Sequence, residues 1–273
     1  MALYFSSINS GSNGNCYYVG NDTDAVLIDV GISCKEVEKR MNRLGLSIDK
    51  VKAIFISHEH SDHIKGLEVF ANKYNLPVYI NNATLKNSRL SLSKDFTFSF
   101  NESIIEIGNL KVHAFSKFHD AADPYSFVVE YQDYRVGVFT DIGSVCHKLI
   151  KHFKICHAAF LEANYDTKML EEGRYPYFLK HRITGGKGHL SNDEALQLFR
   201  NHSASYMSHL LLSHLSKDNN EPTLAENMFK CVAGNTMVSV ASRFKESPLY
   251  FLGVQENHFL AVAQQEVIQL NLF

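Results

Sequence analysis

A chain of 273 residues, 45% hydrophobic and 21% charged, has ordinary globular composition, which excludes a mainly disordered protein. Its 27 Lys and Arg against 29 Asp and Glu leave a formal charge of -2, so any nucleic-acid contact must come from a local patch rather than a general basic field. No apolar run approaches the roughly 20 residues of a membrane span, the N-terminus turns polar within a few residues, and the protein is expected in the cytoplasm.

Apolar runs bounded by turn residues predict short strands at Cys16–Val19 and Ala25–Asp29. The turn before them concentrates Ser12, Asn13 and Asn15, small residues whose backbone N–H groups can approach a phosphate; the same residues also simply make hairpins. A helix opens with a Ser33…Glu36 capping box and closes near Gly45. The apolar strand "VKAIFIS" then leads into "HEHSDH" and a helix from about Ile64 to Tyr74. Strands follow at Pro77–Ile80, Phe96–Phe100, Ile104–Ile107, Leu110–Phe115, Tyr125–Tyr131 and Arg135–Thr140, with a helix after Gly143. The last third offers the strand "HAAFLEA", a helix capped by Ser191…Glu194, the strand "HLLLSH", a helix near Thr223–Cys231 and terminal strands. Such alternation around a strand-rich middle predicts two sheets flanked by helices. Repeats and linkers are absent, so a single domain over 1–273 is expected. Cys16, Cys34, Cys146, Cys156 and Cys231 are scattered without a C-x-x-C pair and read as reduced thiols.

His58, His60, Asp62 and His63 cannot share one helical face, because His58 and His60 are two apart where helical neighbours are three or four apart. They belong to a turn: extended spacing aims His58 and His60 to one side, and the first turn of the next helix brings Asp62 and His63 back. Imidazole and carboxylate groups without thiolate suit zinc, manganese or iron in an open, reactive site. Solvated surface histidines are the rival reading, disfavoured because polar clusters seldom end buried strands unless they line a site.

The pattern H-x-H-x-D-H after an apolar strand resembles the signature of the metallo-β-lactamase superfamily, an α/β (α+β) fold built as a four-layered αββα sandwich. The resemblance implies three further residues at strand ends, met by His119 in "FSKFHDAADP", Asp141 in "VGVFTDIG" and His214 closing "HLLLSH". It implies that His58, His60 and His119 hold one divalent metal ion, Asp62, His63 and His214 a second, and Asp141 bridges them. His113 is the rival to His119 but sits mid-strand, as a packing residue would. Asp120 and Asp123 are candidate hydrogen-bond partners of the ligands. Two ions about 3.5–4 Å apart lower the pKa of a bridging water toward about 7 and clamp the oxygens of a phosphodiester, which makes hydrolysis the default chemistry, with Asp62 among the catalytic groups.

Glu162 in "FLEAN" and His189 in "KGHLSNDEA", followed by "LLLSHLSKD", resemble the nuclease branch of the superfamily, including tRNase Z. That implies Glu162 orienting His189 as general acid beside the scissile phosphate; without it, His189 is a loop residue and Glu162 a surface carboxylate. The stretch "GRYPYFLKHRITGGKGH" interleaves Arg174, Lys180, Arg182 and Lys187 with Tyr175, Tyr177 and Phe178. It reads as a lip that tracks phosphates and stacks bases, or as an amphipathic helix with a solvated basic face. Taken whole, these motifs resemble the bacterial YycJ/WalJ type, which implies a 5′→3′ DNA exonuclease of repair or replication. A glyoxalase-II-like thioesterase and an RNA-processing nuclease share the ligand set and stay open. Finally, "QLNLF" resembles the pentapeptide with which bacterial repair and replication proteins dock on the sliding clamp, with Gln269, Leu270, Leu272 and Phe273 as contacts. Alternation of Ile268, Leu270 and Leu272 with Gln269 and Asn271 equally fits a closing strand within 264–273.

Overall fold

Strands buried on both faces need apolar residues at every position, and several strands of this chain read that way. In the computed structural model, which describes residues 1–253, the strands form two seven-stranded sheets. The first contains β1 (Ala2–Asn9), β2 (Cys16–Gly20), β3 (Ala25–Ile28), β4 (Val51–Phe55), β5 (Val78–Tyr79) and β6 (Thr97–Phe98). The second contains β7 (Ser103–Ile107), β8 (Leu110–Ser116), β9 (Tyr125–Tyr131), β10 (Tyr134–Phe139), β11 (Ala158–Glu162), β12 (His209–Ser213) and β13 (Met237–Val240). A last strand, β14 (Tyr250–Gly253), returns to the first sheet and gives it the order β14-β1-β2-β3-β4-β5-β6; the second runs β13-β12-β11-β10-β9-β8-β7.

Alternating side chains divide the interior into three apolar layers. Val26 and Ile28 of β3 meet Ala158 and Phe160 of β11 and Leu211 of β12 between the sheets. Ala25 and Leu27 point the other way, against Val37 and Met41 of α1 (Cys34–Arg43). They share that layer with Phe70 of a helix that, together with a short one before it, follows β4. On the far side Ala159, Leu161, Leu210 and Leu212 pack against helices that contribute Leu149, Phe153, Leu198, Phe199 and Phe229. Three apolar interiors separating four layers, helices, sheet, sheet and helices, make an αββα sandwich.

Local chemistry accounts for the departures from expectation. The helix expected from Ile64 to Tyr74 is two, α2 (Ser61–Ile64) and α3 (Leu67–Tyr74), parted at Gly66. There the Gly66 N–H bonds to the Val30 carbonyl, and a side chain would collide with the Ile32 carbonyl. Strand β1 escaped notice because Ser6, Ser7 and Asn9 interrupt its apolar run. They are buried all the same, Ser6 and Ser7 bonded to Ser247. Two short helices were also unforeseen, α4 (Asn82–Ser88) before the second sheet and, after α5 (His147–Phe153), α6 (Thr167–Glu172). The stretch beginning "YFLK" is a helix, α7 (Tyr177–Thr184), with no buried residue. Ser33 caps α1 but Glu36 turns to Arg40, so only half of that capping box forms. Ser191 and Glu194 complete theirs at α8 (Asn192–His202), and α9 (Pro222–Lys230) follows β12. The five cysteines are free thiols, with Cys231 exposed. No helix among the described residues is long and apolar enough to cross a membrane. The segment from Gln269 to Phe273 lies outside the described residues.

Candidate metal centre

Strands β10, β11 and β12 are parallel, with Phe139 beside Leu161 and Glu162 beside Ser213, so their C-terminal ends reach one rim. Strands β3 and β4, also parallel, pair Ile28 with Phe55 and end on that rim in the first sheet. Asp29, His58, Asp141 and His214 therefore leave neighbouring strand ends. Of the six non-glycine residues with positive φ among the described residues, three are here: Asp29 at 61°, Asp141 at 54° and His214 at 55°. A left-handed residue at the end of a strand turns the chain sharply, and such backbone cost is commonly stored at functional sites.

His60 occupies the N-cap of α2, a position that favours Ser, Thr, Asp or Asn, and makes no capping bond. Its Nδ1 lies 3.1 Å from His58 Nε2 and 3.3 Å from His119 Nε2. Tetrahedral zinc with bonds of roughly 2.0–2.1 Å holds its nitrogens about 3.4 Å apart, close to this spacing. His119 donates Nδ1–H to the Gly188 carbonyl at 2.9 Å, which leaves Nε2 bare toward the cluster. Burial and the charge of His63 keep His58 well below ordinary histidine basicity, and burial takes His119 down to about 4. Three nitrogens, two of them poorly basic, converging within one ligand sphere fit a cation.

A second group stands beside the first. Asp62 Oδ2 lies 3.4 Å from His214 Nε2 and 3.6 Å from His63 Nε2. Burial alone would lower the pKa of His63, but Asp141, Asp29 and Asp62 raise it well above the usual value; the His214 pKa is likewise raised, against burial, by Asp141, Asp62 and Glu162 to about 10. Asp141 spans both groups, with Oδ1 3.8 Å from His119 and 3.5 Å from His214, and Oδ2 3.2 Å from His63. Its Oδ2 is buried yet makes no hydrogen bond, an orphaned acceptor that a cation would satisfy. The residues present therefore fit divalent metal binding.

Behind these groups sits a layer that the sequence reading missed. Asp29 takes His63 Nδ1 at 2.7 Å, the Ser57 hydroxyl at 2.7 Å and the Ser57 N–H at 2.8 Å, all buried. Lys117 Nζ is buried and donates to the Thr140 carbonyl at 2.6 Å, just before Asp141. Asn164 donates to the His214 carbonyl at 2.7 Å. Only Asp29 carried a local signal, a carboxylate ending the apolar run "AVLI", as Asp141 follows "VGVFT".

Glu162 is fully buried rather than a surface carboxylate. Its Oε1 accepts His189 Nδ1 at 2.7 Å and His214 Nδ1 at 3.0 Å, while Oε2 accepts the Ile142 N–H at 2.6 Å and the Leu190 N–H at 3.3 Å. Burial disfavours its charge, but His189 and His214 hold its pKa down to about 2. Asp120 contacts His119 Nε2 at 3.4 Å and takes the Arg182 guanidinium, which anchors the lip to the centre. Asp123 instead offers its carbonyl to Asn81, and His113 of β8 lies 3.2 Å from Glu130 of β9. Among the suggested substrate contacts, Ser12 and Lys187 are exposed, and exposed Asn13 bonds to the Arg243 carbonyl. Asn15 is buried and donates to Asp62 Oδ2 at 3.3 Å, so its side chain serves the centre directly.

Residues 10–153 match the model of the metallo-beta-lactamase superfamily, and the chain belongs to that superfamily, as a hydrolase fold with its histidines and aspartates gathered at one rim. Within it the chain is of the YycJ/WalJ type. It is 37% identical over 230 residues to exodeoxyribonuclease YycJ of Bacillus anthracis, an alignment covering 82% of this chain and 87% of that protein. Exodeoxyribonuclease WalJ of Streptococcus pneumoniae is 32% identical over 230 residues, covering 81% and 84%. Among solved structures, the metallo-beta-lactamase fold protein YhfI of Bacillus subtilis superposes with a TM-score of 0.71 over 90% of this chain and 99% of that one, at 17% identity.

Proposed function

We propose that the chain is a metal-dependent 5′→3′ DNA exonuclease of repair or replication. The observation that carries this reading is the pair of buried Glu162 and half-buried His189 set against Asp141 and His214, supported by the exodeoxyribonuclease names of its relatives. In it His58, His60 and His119 would hold one ion and Asp62, His63 and His214 the other, with Asp141 standing between the two groups. Divalent zinc or manganese, with iron also admissible, supplies Lewis acidity that favours ionised water at neutral pH and offsets phosphate charge. An ionised Glu162 only accepts hydrogen bonds, so His189 carries hydrogen on Nδ1 and, when protonated, offers Nε2–H to the leaving oxygen. Arg182 and Lys187 sit at the mouth to steer the strand.

The test incubates purified protein with manganese or zinc and end-labelled duplexes with recessed 5′ or 3′ termini, with single-stranded RNA and a thioester alongside. Stepwise loss from DNA 5′ ends, absent in Asp62→Ala, is expected, and His189→Ala should lower kcat by roughly 10²–10⁴-fold with metal content retained. RNA loss with intact DNA would transfer the reading to RNA processing. Thioester turnover alone would transfer it to the small-molecule branch.

The partner reading rests on sequence. Gln269, Leu270, Leu272 and Phe273 dock on the DNA sliding clamp, and deletion of residues 269–273 is expected to abolish clamp binding in a pull-down while sparing exonuclease turnover. Loss of folding in that deletion would favour the closing strand.

A further inference from the structure

A groove leads away from His189. A cavity of about 170 Å³ beside it is lined by Ser12, Tyr175 and Ser216. These three residues also line an adjoining cavity of about 340 Å³, which in turn shares Ser216, Lys217, Arg243 and Phe244 with a third of about 250 Å³. The shared walls set the three spaces side by side in one row.

Two residues at the far end have no structural task that explains them. Phe244 is 77% exposed, a solvated aromatic ring at the edge of the groove. Arg243 makes no ion pair among the described residues, and its Nη1 has no hydrogen-bond partner. Arg40 and Arg43 nearby, by contrast, are neutralised by Glu36 and Glu246. Arg243 is nonetheless held in place. A side chain on Gly11 would stand 3.2 Å from Arg243 Nη2, and the Arg243 carbonyl takes Asn13 Nδ2 at 2.8 Å. The same loop runs on to Asn15, which bonds to Asp62. One turn thus supports both the metal centre and an unneutralised guanidinium. The carboxylate at the rim, Asp218, is engaged by the Tyr175 hydroxyl at 3.0 Å.

We propose that a single-stranded segment of the substrate lies in this groove, with one base stacked on Phe244 and a phosphate against Arg243 and Lys217. The inference rests on the phosphodiesterase reading above and specifies where the strand runs. Bases in a duplex bury their faces against stacked neighbours, whereas an unpaired strand offers a face to each aromatic ring and a charge to each cation. Adjacency of this row to the reacting end selects a strand over a separate ligand.

The test measures KM and kcat on a ladder of 5′-phosphorylated single-stranded oligonucleotides of increasing length, alongside bis(4-nitrophenyl) phosphate, which has no strand to bind. In Phe244→Ala the KM for the longer oligonucleotides should rise about tenfold, with kcat and the small diester unchanged. In Arg243→Gln the slope of log affinity against log salt should fall by about 0.7, the value for one phosphate on a single strand. Normal oligonucleotide kinetics and salt slope in both variants would overturn the groove and leave the exonuclease reading standing. Equal losses on oligonucleotides and the small diester would also overturn it, by placing the lesion at the centre. Wild-type protein inactive on both substrates would overturn the two readings together.

Discussion

Asparagine in place of Asp141 is expected to lower phosphodiesterase turnover by roughly 10³-fold or more, with an unchanged circular dichroism spectrum and fewer than two metal ions per chain. The backbone should hold, because asparagine is among the few residues at ease at the left-handed φ of 54° found there. What changes is charge. Asp141 is buried among His63, His119 and His214, with one oxygen lacking a hydrogen-bond partner, and an amide would put either a neutral oxygen or an N–H in that place. Turnover within tenfold of the unaltered protein would exclude Asp141 from the centre.

Chelation should make stability fall with rising pH above neutrality, in contrast to the loaded protein. His63 and His214 have pKa values raised in the fold, His214 to about 10. Their contribution is complete below the unfolded histidine value of about 6.5 and is lost as pH rises from there toward about 10. His58 and His119 are depressed, His119 to about 4, so theirs is complete above about 6.5 and lost as pH falls toward about 4. Metal-free protein is therefore most stable near pH 6.5. Ions held there would take the place of the protons on His63 and His214, and the alkaline loss should then vanish. The gap in Tm between loaded and chelated protein should widen from pH 6.5 to pH 9, each kcal/mol counting for roughly 2–4 °C in a domain of this size. A gap constant with pH would contradict the proposed role of these protons.

The histidine cluster was legible because strand ends are legible. An apolar run that leads into a coordinating residue is a local pattern, and "VKAIFIS", "VGVFT" and "HLLLS" each show it before His58, Asp141 and His214. The layering was legible for the same reason, since near-continuous apolar strands require cover on both faces. Residues whose meaning lies in a distant contact were not. Lys117 reads as a surface lysine until its Nζ is found on the Thr140 carbonyl, and Asn164 as a loop amide until it meets His214. Strand β1 hid behind serines that are satisfied by Ser247, more than two hundred residues away in the chain. Arg243 and Phe244 follow β13 with no motif around them; only the folded groove relates them to His189.

A single oxygen atom, Glu162 Oε1, holds the Nδ1 of both His189 and His214. Inheritance therefore cannot treat these two rings as independent traits. A lineage that altered Glu162 would disturb the placement of both rings in one step, and neither ring alone could restore the other. Changes at the three positions should be strongly epistatic, with double variants little worse than the single loss of Glu162. Drift at this corner is confined to simultaneous replacement, whereas exposed side chains that bond to neither ring can vary one at a time.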